Sequence, residues 1–257
     1  MEYKTQIKHF IELLIICAAA ISIANGELEK SSSSLKSCKL HDPENSECLT
    51  NQWQQILISG INDVPGFKWI SVDPYTAKRI TLDVHSPALN VTAEFKKVVV
   101  TGLKNATIEN VSIDNGETFI LDMKVPKLHF KGNYIIKGTI LLLKLDGKGP
   151  FTVDYVDLQV RFVINSKLVS KDSEQFFDIK SVKTDVKHIG LVHVKFDNVF
   201  GDNQSLTDSA NDLFNQNWSS FLEILRPILI EGTEGILVEQ GNKYISKLPA
   251  RILFSDL

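Results

Sequence analysis

The apolar positions of this chain change period along its length. In the C-terminal third they fall at Leu206, Ala210, Leu213, Phe214, Trp218, Phe221, Leu225, Ile228, Leu229, Ile236 and Leu237, then at Tyr244, Ile245 and Leu248. Steps of three and four mark one apolar helical face, with Glu223, Glu231 and Glu234 on the other side. Read as one helix, some forty residues at about 1.5 Å each run to roughly 60 Å, about twice the diameter of a small domain. Thr207 or Ser205 can cap its start and Pro249 stops it. Pro227 falls in the middle, where a proline costs about 3 kcal/mol and kinks the axis, and Gly232, Gly235 and Gly241 weaken the second half. Two helices hinged near Pro227 are therefore the alternative.

Between about Ile80 and Phe200 the period is two. Phe119, Leu121, Met123 and Val125 alternate with Ile120, Asp122 and Lys124, while Leu128, Phe130, Tyr134 and Ile136 alternate with His129, Lys131 and Lys137. Val156, Leu158, Val160, Phe162 and Ile164 alternate with Asp157, Gln159 and Arg161. These are half-buried antiparallel strands with one wet face. Parity slips at Lys96-Lys97 and at Tyr155-Val156, where a β-bulge would keep the apolar side inward. Asp146-Gly147-Lys148-Gly149-Pro150 reads as a hairpin turn between two long strands. The fold class is thus α+β: a strongly curved antiparallel sheet wrapped round a long C-terminal helix, because a flat sheet could not cover so long a rod. Any gap between them that side chains leave unfilled becomes an elongated apolar cavity.

The N-terminal stretch changes the compartment. Residues 1–26 carry Lys4 and Lys8, an apolar run through Leu13 to Ala20, and small residues at Ala24 and Gly26, the pattern of a secretory signal peptide cut after Gly26. Residues 27–257 then form one domain in a secreted, extracellular protein. The cut removes two bases (Lys4, Lys8) and two acids (Glu2, Glu12), so the formal charge of −3 is unchanged and too balanced for a nucleic-acid surface. Cys17 leaves too, and Cys38 and Cys48 remain to pair in an oxidising compartment, closing a small loop that contributes about 2–3 kcal/mol. Pro43-Glu44-Asn45-Ser46-Glu47 starts a short helix to about Gly60, its buried side given by Cys48, Leu49, Ile56 and Leu57. Sequons at Asn90, Asn105, Asn110, Asn203 and Asn217 fit the same route and mark candidate glycosylation sites.

Taken in order, several stretches carry a resemblance. The Cys38…Cys48 pair behind a signal peptide and the Asp73-Pro74 turn come first. They are followed by the segment Phe95-Lys96-Lys97-Val98-Val99-Val100-Thr101-Gly102-Leu103-Lys104-Asn105-Ala106-Thr107-Ile108 and by Asp146-Gly147-Lys148-Gly149. The helix with Asn217-Trp218 leading to Pro227 closes the series. Together they resemble the insect takeout and juvenile-hormone-binding protein family over nearly the whole mature chain. The resemblance implies a curved sheet round a long C-terminal helix, enclosing a tunnel for a lipophilic ligand. Hormone carriers of that family have a second disulfide; this chain has no cysteines for one and looks more like the takeout branch.

The expected function is a secreted, monomeric carrier of a hydrophobic small molecule, a juvenile-hormone-like terpenoid or a fatty acid, without cofactor, nucleic-acid partner or stable membrane insertion. A receptor is left open. By alternation the candidate lining is Phe119, Leu121, Met123, Leu128, Phe130, Val160 and Phe162 from the sheet and Trp218, Phe221 and Leu225 from the helix. Tyr134 and Tyr155 are the candidate polar groups. The alternative is a secreted signalling or interaction protein with a filled interior. Catalysis has little support: there is no Gly-x-Ser-x-Gly elbow, His-Glu-x-x-His, Cys-x-x-Cys or phosphate loop. His188 and His193 should fall on opposite strand faces, a poor metal pair, and Asp154 and Asp157 read as solvated strand positions.

Overall fold

A computed structural model describes residues 35–61, 64, 67, 72–85, 89–140 and 143–257; the predicted signal peptide lies outside them. Helix α1 (Ser46–Ser59) is followed by strands β1 (Tyr75–His85), β2 (Leu89–Thr101), β3 (Thr107–Asp114), β4 (Thr118–Ile140), β5 (Leu143–Lys171) and β6 (Glu174–Phe196). Helices α2 (Gln204–Gln216) and α3 (Trp218–Tyr244) complete the chain before short 3₁₀ turns. The strands form one open antiparallel sheet in the order β1-β2-β4-β5-β6, with β3 paired to β4 beside the end of β2. The 29 residues of β5 are several times the usual strand length of about six, which a sheet sustains only by coiling.

The coil is produced at identifiable places. At Lys96/Val99 the β2–β4 register shifts, with Lys97 at φ 50°, where the alternation predicts a bulge. The bulge expected at Tyr155-Val156 is not found, since the register with β4 and β6 runs through it unshifted; the parity changes instead at Asp157, also at φ 50°. By register Asp157 lies opposite Pro126 on β4 and Gly190 on β6. At this line all three strands change parity: Val125 and Leu128, Tyr155 and Leu158, and Ile189 and Val192 all belong to the inner core. The result is a transverse crease. Pro126 suits it, having no N–H to offer a ladder. A further register shift at Gln159/Val160 accommodates Lys187 as an extra residue on β6.

Two expectations are corrected here. Asp146 to Pro150 form no turn: they lie within β5, paired to Asn133–Lys137 of β4, and the chain reverses between Ile140 and Leu143. Gly147 and Gly149 are needed because the segment after β6 crosses them; a Cβ would come within 2.6 Å of the Asn198 and Asp197 carbonyl oxygens respectively. His188 and His193 do not face opposite ways. The parity changes in β6 leave both exposed on the outer face, where His188 meets Asp157 at 3.3 Å and His193 lies opposite Asp154.

The C-terminal helix is divided, but not at Pro227. α2 ends at Asn217, whose side chain donates to the Leu213 carbonyl, and α3 then runs through Pro227, Gly232 and Gly235 to Tyr244. The cap of α2 is Asn203, accepting from the Leu206 N–H at 3.0 Å, rather than Ser205 or Thr207. Thr207 is buried instead.

At the other end α1 buries Leu49, Trp53, Ile56 and Leu57 on one face, a spacing of three and four, and stops at Gly60 with φ 71°. The Cys38–Cys48 disulfide ties its first turn to the preceding segment, with Cα atoms 5.9 Å apart. That segment is bound in turn to the C-terminus: Cys38 N–H donates to Leu253 O and Ser255 N–H to Cys38 O. The Asp256 carboxylate accepts from the N–H groups of Leu40 and His41 and from the His41 ring. Although burial works against its charge, these donors hold the Asp256 carboxyl down to about 2.

Candidate functional site

Between the inner face of the sheet and α3 lies an apolar cavity of about 70 Å³. Its floor is the crease: Val125 and Leu128 of β4, Tyr155 and Leu158 of β5, and Ile189 of β6 all line it. The bend brings two successive inner positions of β4 and of β5 round one space, and side chains that would interdigitate on a flat sheet splay apart. Met123, Val160, Phe162, Thr184 and Val186 extend the floor along the strands, Leu103 closes one side, and Leu222, Arg226, Leu229 and Ile230 of α3 form the roof. Aromatic clusters fill the core beyond it along the strands. Tyr134, Phe95, Phe151 and Phe196 meet on one side, and Phe119, Phe177 and Phe254 on the other. Among the described residues the space is therefore a narrow slot under α3, bounded along the strands by these two clusters.

Of the positions singled out from alternation, Met123, Leu128, Tyr155, Val160 and Phe162 line this cavity. Phe119, Leu121, Phe130 and Tyr134 are buried on the same inner face but outside the lining. Phe119 and Tyr134 belong to the two aromatic clusters, and Phe130 packs edge-on against Tyr155 with centroids 5.7 Å apart. On the helix, Trp218, Phe221 and Leu225 are half-buried and outside the lining. Trp218 packs with Val192, Val194 and Leu222, and Phe221 stacks on Phe214 at 5.1 Å. The break at Asn217 resets the helical phase, so a face read continuously from Leu206 arrives one position out on α3. The roof residues at 222, 226, 229 and 230 have their own i, i+4, i+7, i+8 spacing, legible only once the break is placed.

The polar groups divide into satisfied and unsatisfied. The Tyr134 hydroxyl donates to the Asp197 carbonyl at 2.7 Å, and burial, aided by the Asp197 charge, raises its pKa beyond the usual phenol range. Burial pushes the Tyr155 phenol up to about 12, and among the described residues its hydroxyl has no hydrogen-bond partner. Thr184 Oγ1 is buried and likewise unpartnered, although its backbone N–H donates to Glu234 Oε1 at 2.7 Å. Arg226 reaches the rim and pairs with Glu223 at 2.9 Å. Asp154 and Asp157 lie on the outer face, tied to His129 and Lys127 and to His188 and Lys124 respectively. Opposing charges hold them there, away from the cavity.

The roof is fixed to the sheet by a device that apolar periodicity does not reveal. Asn211, Asn215 and Asn242 each donate to a carbonyl and accept from an N–H of one β6 residue, Phe196, Val194 and Ile179 in turn, so each amide imitates a neighbouring strand. Asn211 and Asn215 are four apart on α2, which is the only sequence sign of it. Among the candidate glycosylation positions, Asn90, Asn105, Asn203 and Asn217 are exposed, while Asn110 is half-buried and accepts from Ser46 Oγ at 2.9 Å.

Comparison with known proteins agrees with this architecture. The profile of the family described as haemolymph juvenile hormone binding protein (JHBP) matches residues 13–255. The circadian clock-controlled protein daywake of Drosophila melanogaster is 27% identical over 213 residues, 77% of this chain and 78% of its own length. Its Drosophila yakuba counterpart is 27% identical over 211 residues, with the same two shares. Among solved structures, Takeout 1 of Epiphyas postvittana superposes with a TM-score of 0.70 at 21% identity, covering 85% of this chain and 98% of that one.

Proposed function

The chain belongs to the haemolymph juvenile hormone binding protein (JHBP) family, and on that premise we propose that it is a secreted carrier of a lipophilic small molecule, a terpenoid or a fatty acid. The observation that carries the reading is the cavity under α3: aliphatic on nearly every side, placed on a crease that prevents the sheet from filling it, and holding a tyrosine hydroxyl without a protein partner. Among the described residues no helix is long and apolar enough to cross a membrane. Apolar transfer supplies the affinity. Each methylene moved from water contributes about 0.8 kcal/mol, so a dozen carbons yield about 10 kcal/mol gross. About 4 kcal/mol of lost freedom, the low end of that cost, leaves about −6 kcal/mol, a dissociation constant on the order of tens of micromolar.

The slot of about 70 Å³ is well below the roughly 300 Å³ at which ligand pockets usually begin. In this reading α3 bows off the crease between the clamps at Asn215 and Glu234 to admit a chain, and settles back when the site is empty. Its half-buried face supports this: even Leu222, the most buried of the roof residues, keeps 9% of its surface exposed. The same small volume and the aromatic clusters favour a second reading, a filled interior with a functional surface.

Titration of delipidated protein with farnesol and with palmitic acid, followed by thermal melting, separates the two. A carrier gains about 2.7 kcal/mol of stability at a hundredfold excess of ligand over its dissociation constant. Trp218, beside Leu222, should report α3 movement through its emission, with Trp218→Phe identifying its share of the signal. Unchanged melting with every lipophile, from material shown to be folded and lipid-free, would sink the carrier reading in favour of the second.

A further inference from the structure

We propose that Thr184 is a specificity-determining residue that seats a hydroxyl at the tail of the bound chain, so that the preferred ligand is a lipid oxygenated at the end remote from Tyr155. This rests on the carrier reading of the cavity. Thr184 lies opposite Phe162, which is seven residues along β5 from Tyr155 and beyond the bend at Asp157, at most about 23 Å at about 3.3 Å per residue. The helix supplies the same ordering. Leu222 packs with Val192 and Val194 beside Tyr155, while Glu234 bonds the Thr184 backbone, so the two hydroxyls belong to opposite ends of the slot.

Thr184 lines the cavity beside Phe162, Val186 and Ile230, and its Oγ1 is buried with neither of its hydrogen-bonding roles filled. Leaving a buried hydroxyl unpaired is costly, and a valine of the same shape would fit a β-strand better. A partner that only accepts, such as an ether or ester oxygen, fills one role; a hydroxyl fills both. An anionic group is disfavoured because the Glu234 carboxylate accepts from the Thr184 N–H. The cation on the roof is Arg226, two helical turns from Glu234 and nearer Leu222, which leaves an acid head at the Tyr155 end and a neutral hydroxyl at the Thr184 end.

The experiment compares palmitic acid with ω-hydroxypalmitic acid on delipidated wild type, Thr184→Val and Thr184→Ser, by displacement of a fluorescent fatty-acid probe. In Thr184→Val the preference for the ω-hydroxy acid over palmitic acid falls about tenfold. Thr184→Ser keeps the wild-type pattern. Without ligand, Thr184→Val melts at or above the wild-type temperature, since it loses an unpaired hydroxyl. On the wild type itself, ω-methoxypalmitic acid binds more weakly than the ω-hydroxy acid, an arm that requires no variant to fold. Thr184→Val weakening both acids alike, or neither, would overturn the assignment while leaving the carrier intact. Failure of all the acids to bind wild type would remove the carrier reading and this inference with it.

Discussion

Two edges of the sheet are closed by helices, and they are closed differently. At β3 the closure is one continuous polar stripe. Ser46, Thr50 and Gln54, at i, i+4 and i+8 of α1, bond Val111 O, Val111 N–H, and the pair Ala106 O and Ile108 N–H. The other face of α1 is buried, Leu49 and Leu57 completely, and its first turn is held by the disulfide and the C-terminus. At β6 the clamps sit at the two ends. Asn211 and Asn215 hold Phe196 and Val194, Asn242 holds Ile179 and Glu234 holds Thr184. Among the described residues no helix side chain bonds the β6 backbone between Thr184 and Val194. That interval contributes Val186 and Ile189 to the cavity. One helix is therefore a fixed cap and the other a wall fastened at its ends.

The contrast is sharpest in the core. Leu57→Ala, at a fully buried position of α1, should cost about 3 kcal/mol in chemical denaturation, whereas Leu225→Ala on half-buried α3 should cost about 1 kcal/mol. Equal costs would mean that α3 is packed as firmly as α1. A smaller effect is expected at the clamps: Asn242→Ala strips both backbone groups of Ile179 of their partner and should cost about 1–2 kcal/mol. Hydrogen exchange at the Ile179 amide should then accelerate while the α1 amides keep their protection; acceleration in α1 as well would show that the two ends open together.

The smallest effect concerns pH. Because the folded carboxyl of Asp256 titrates at about 2, below its unfolded value near 4, its contribution is present at neutral pH and is lost as the pH falls through that window. Melting of wild type should therefore decline more steeply than that of Asp256→Asn between about pH 4 and pH 2. Parallel curves would show that the C-terminal tether does not hold the cap.

Much of this was legible because burial and period are linked. The α+β class, the buried side of α1 and the alternation of β4 and β5 follow from which positions are apolar, and with Cys17 assigned to the predicted signal peptide, Cys38 and Cys48 were the pair expected. The bulge at Lys97 was visible as a fault in the alternation, and the fault at Tyr155-Val156 pointed near the parity change at Asp157 but not to its form, which has no bulge. What escaped was set by contacts between distant segments. Gly147 and Gly149 look like a turn until residues 197–199 are seen crossing them. The break at Asn217 depends on a side chain bonding its own helix, which apolar spacing does not register, and the helix lining moved with it from Trp218, Phe221 and Leu225 to Leu222, Arg226 and Leu229. Thr184 could not be singled out at all, since its significance lies in the partner it lacks.

The crease through Pro126, Asp157 and Gly190 also bears on how the chain finds its pairing. Long strands can slide, and a uniform alternating pattern penalises a slip of one residue but tolerates a slip of two, which restores the same faces inward. A phase change at one place in each of three neighbouring strands removes that tolerance. With any strand displaced by two, its phase change no longer meets those beside it, and an apolar side chain on one panel is turned to water. The fold line thus serves as an alignment mark that fixes three strands against one another at once.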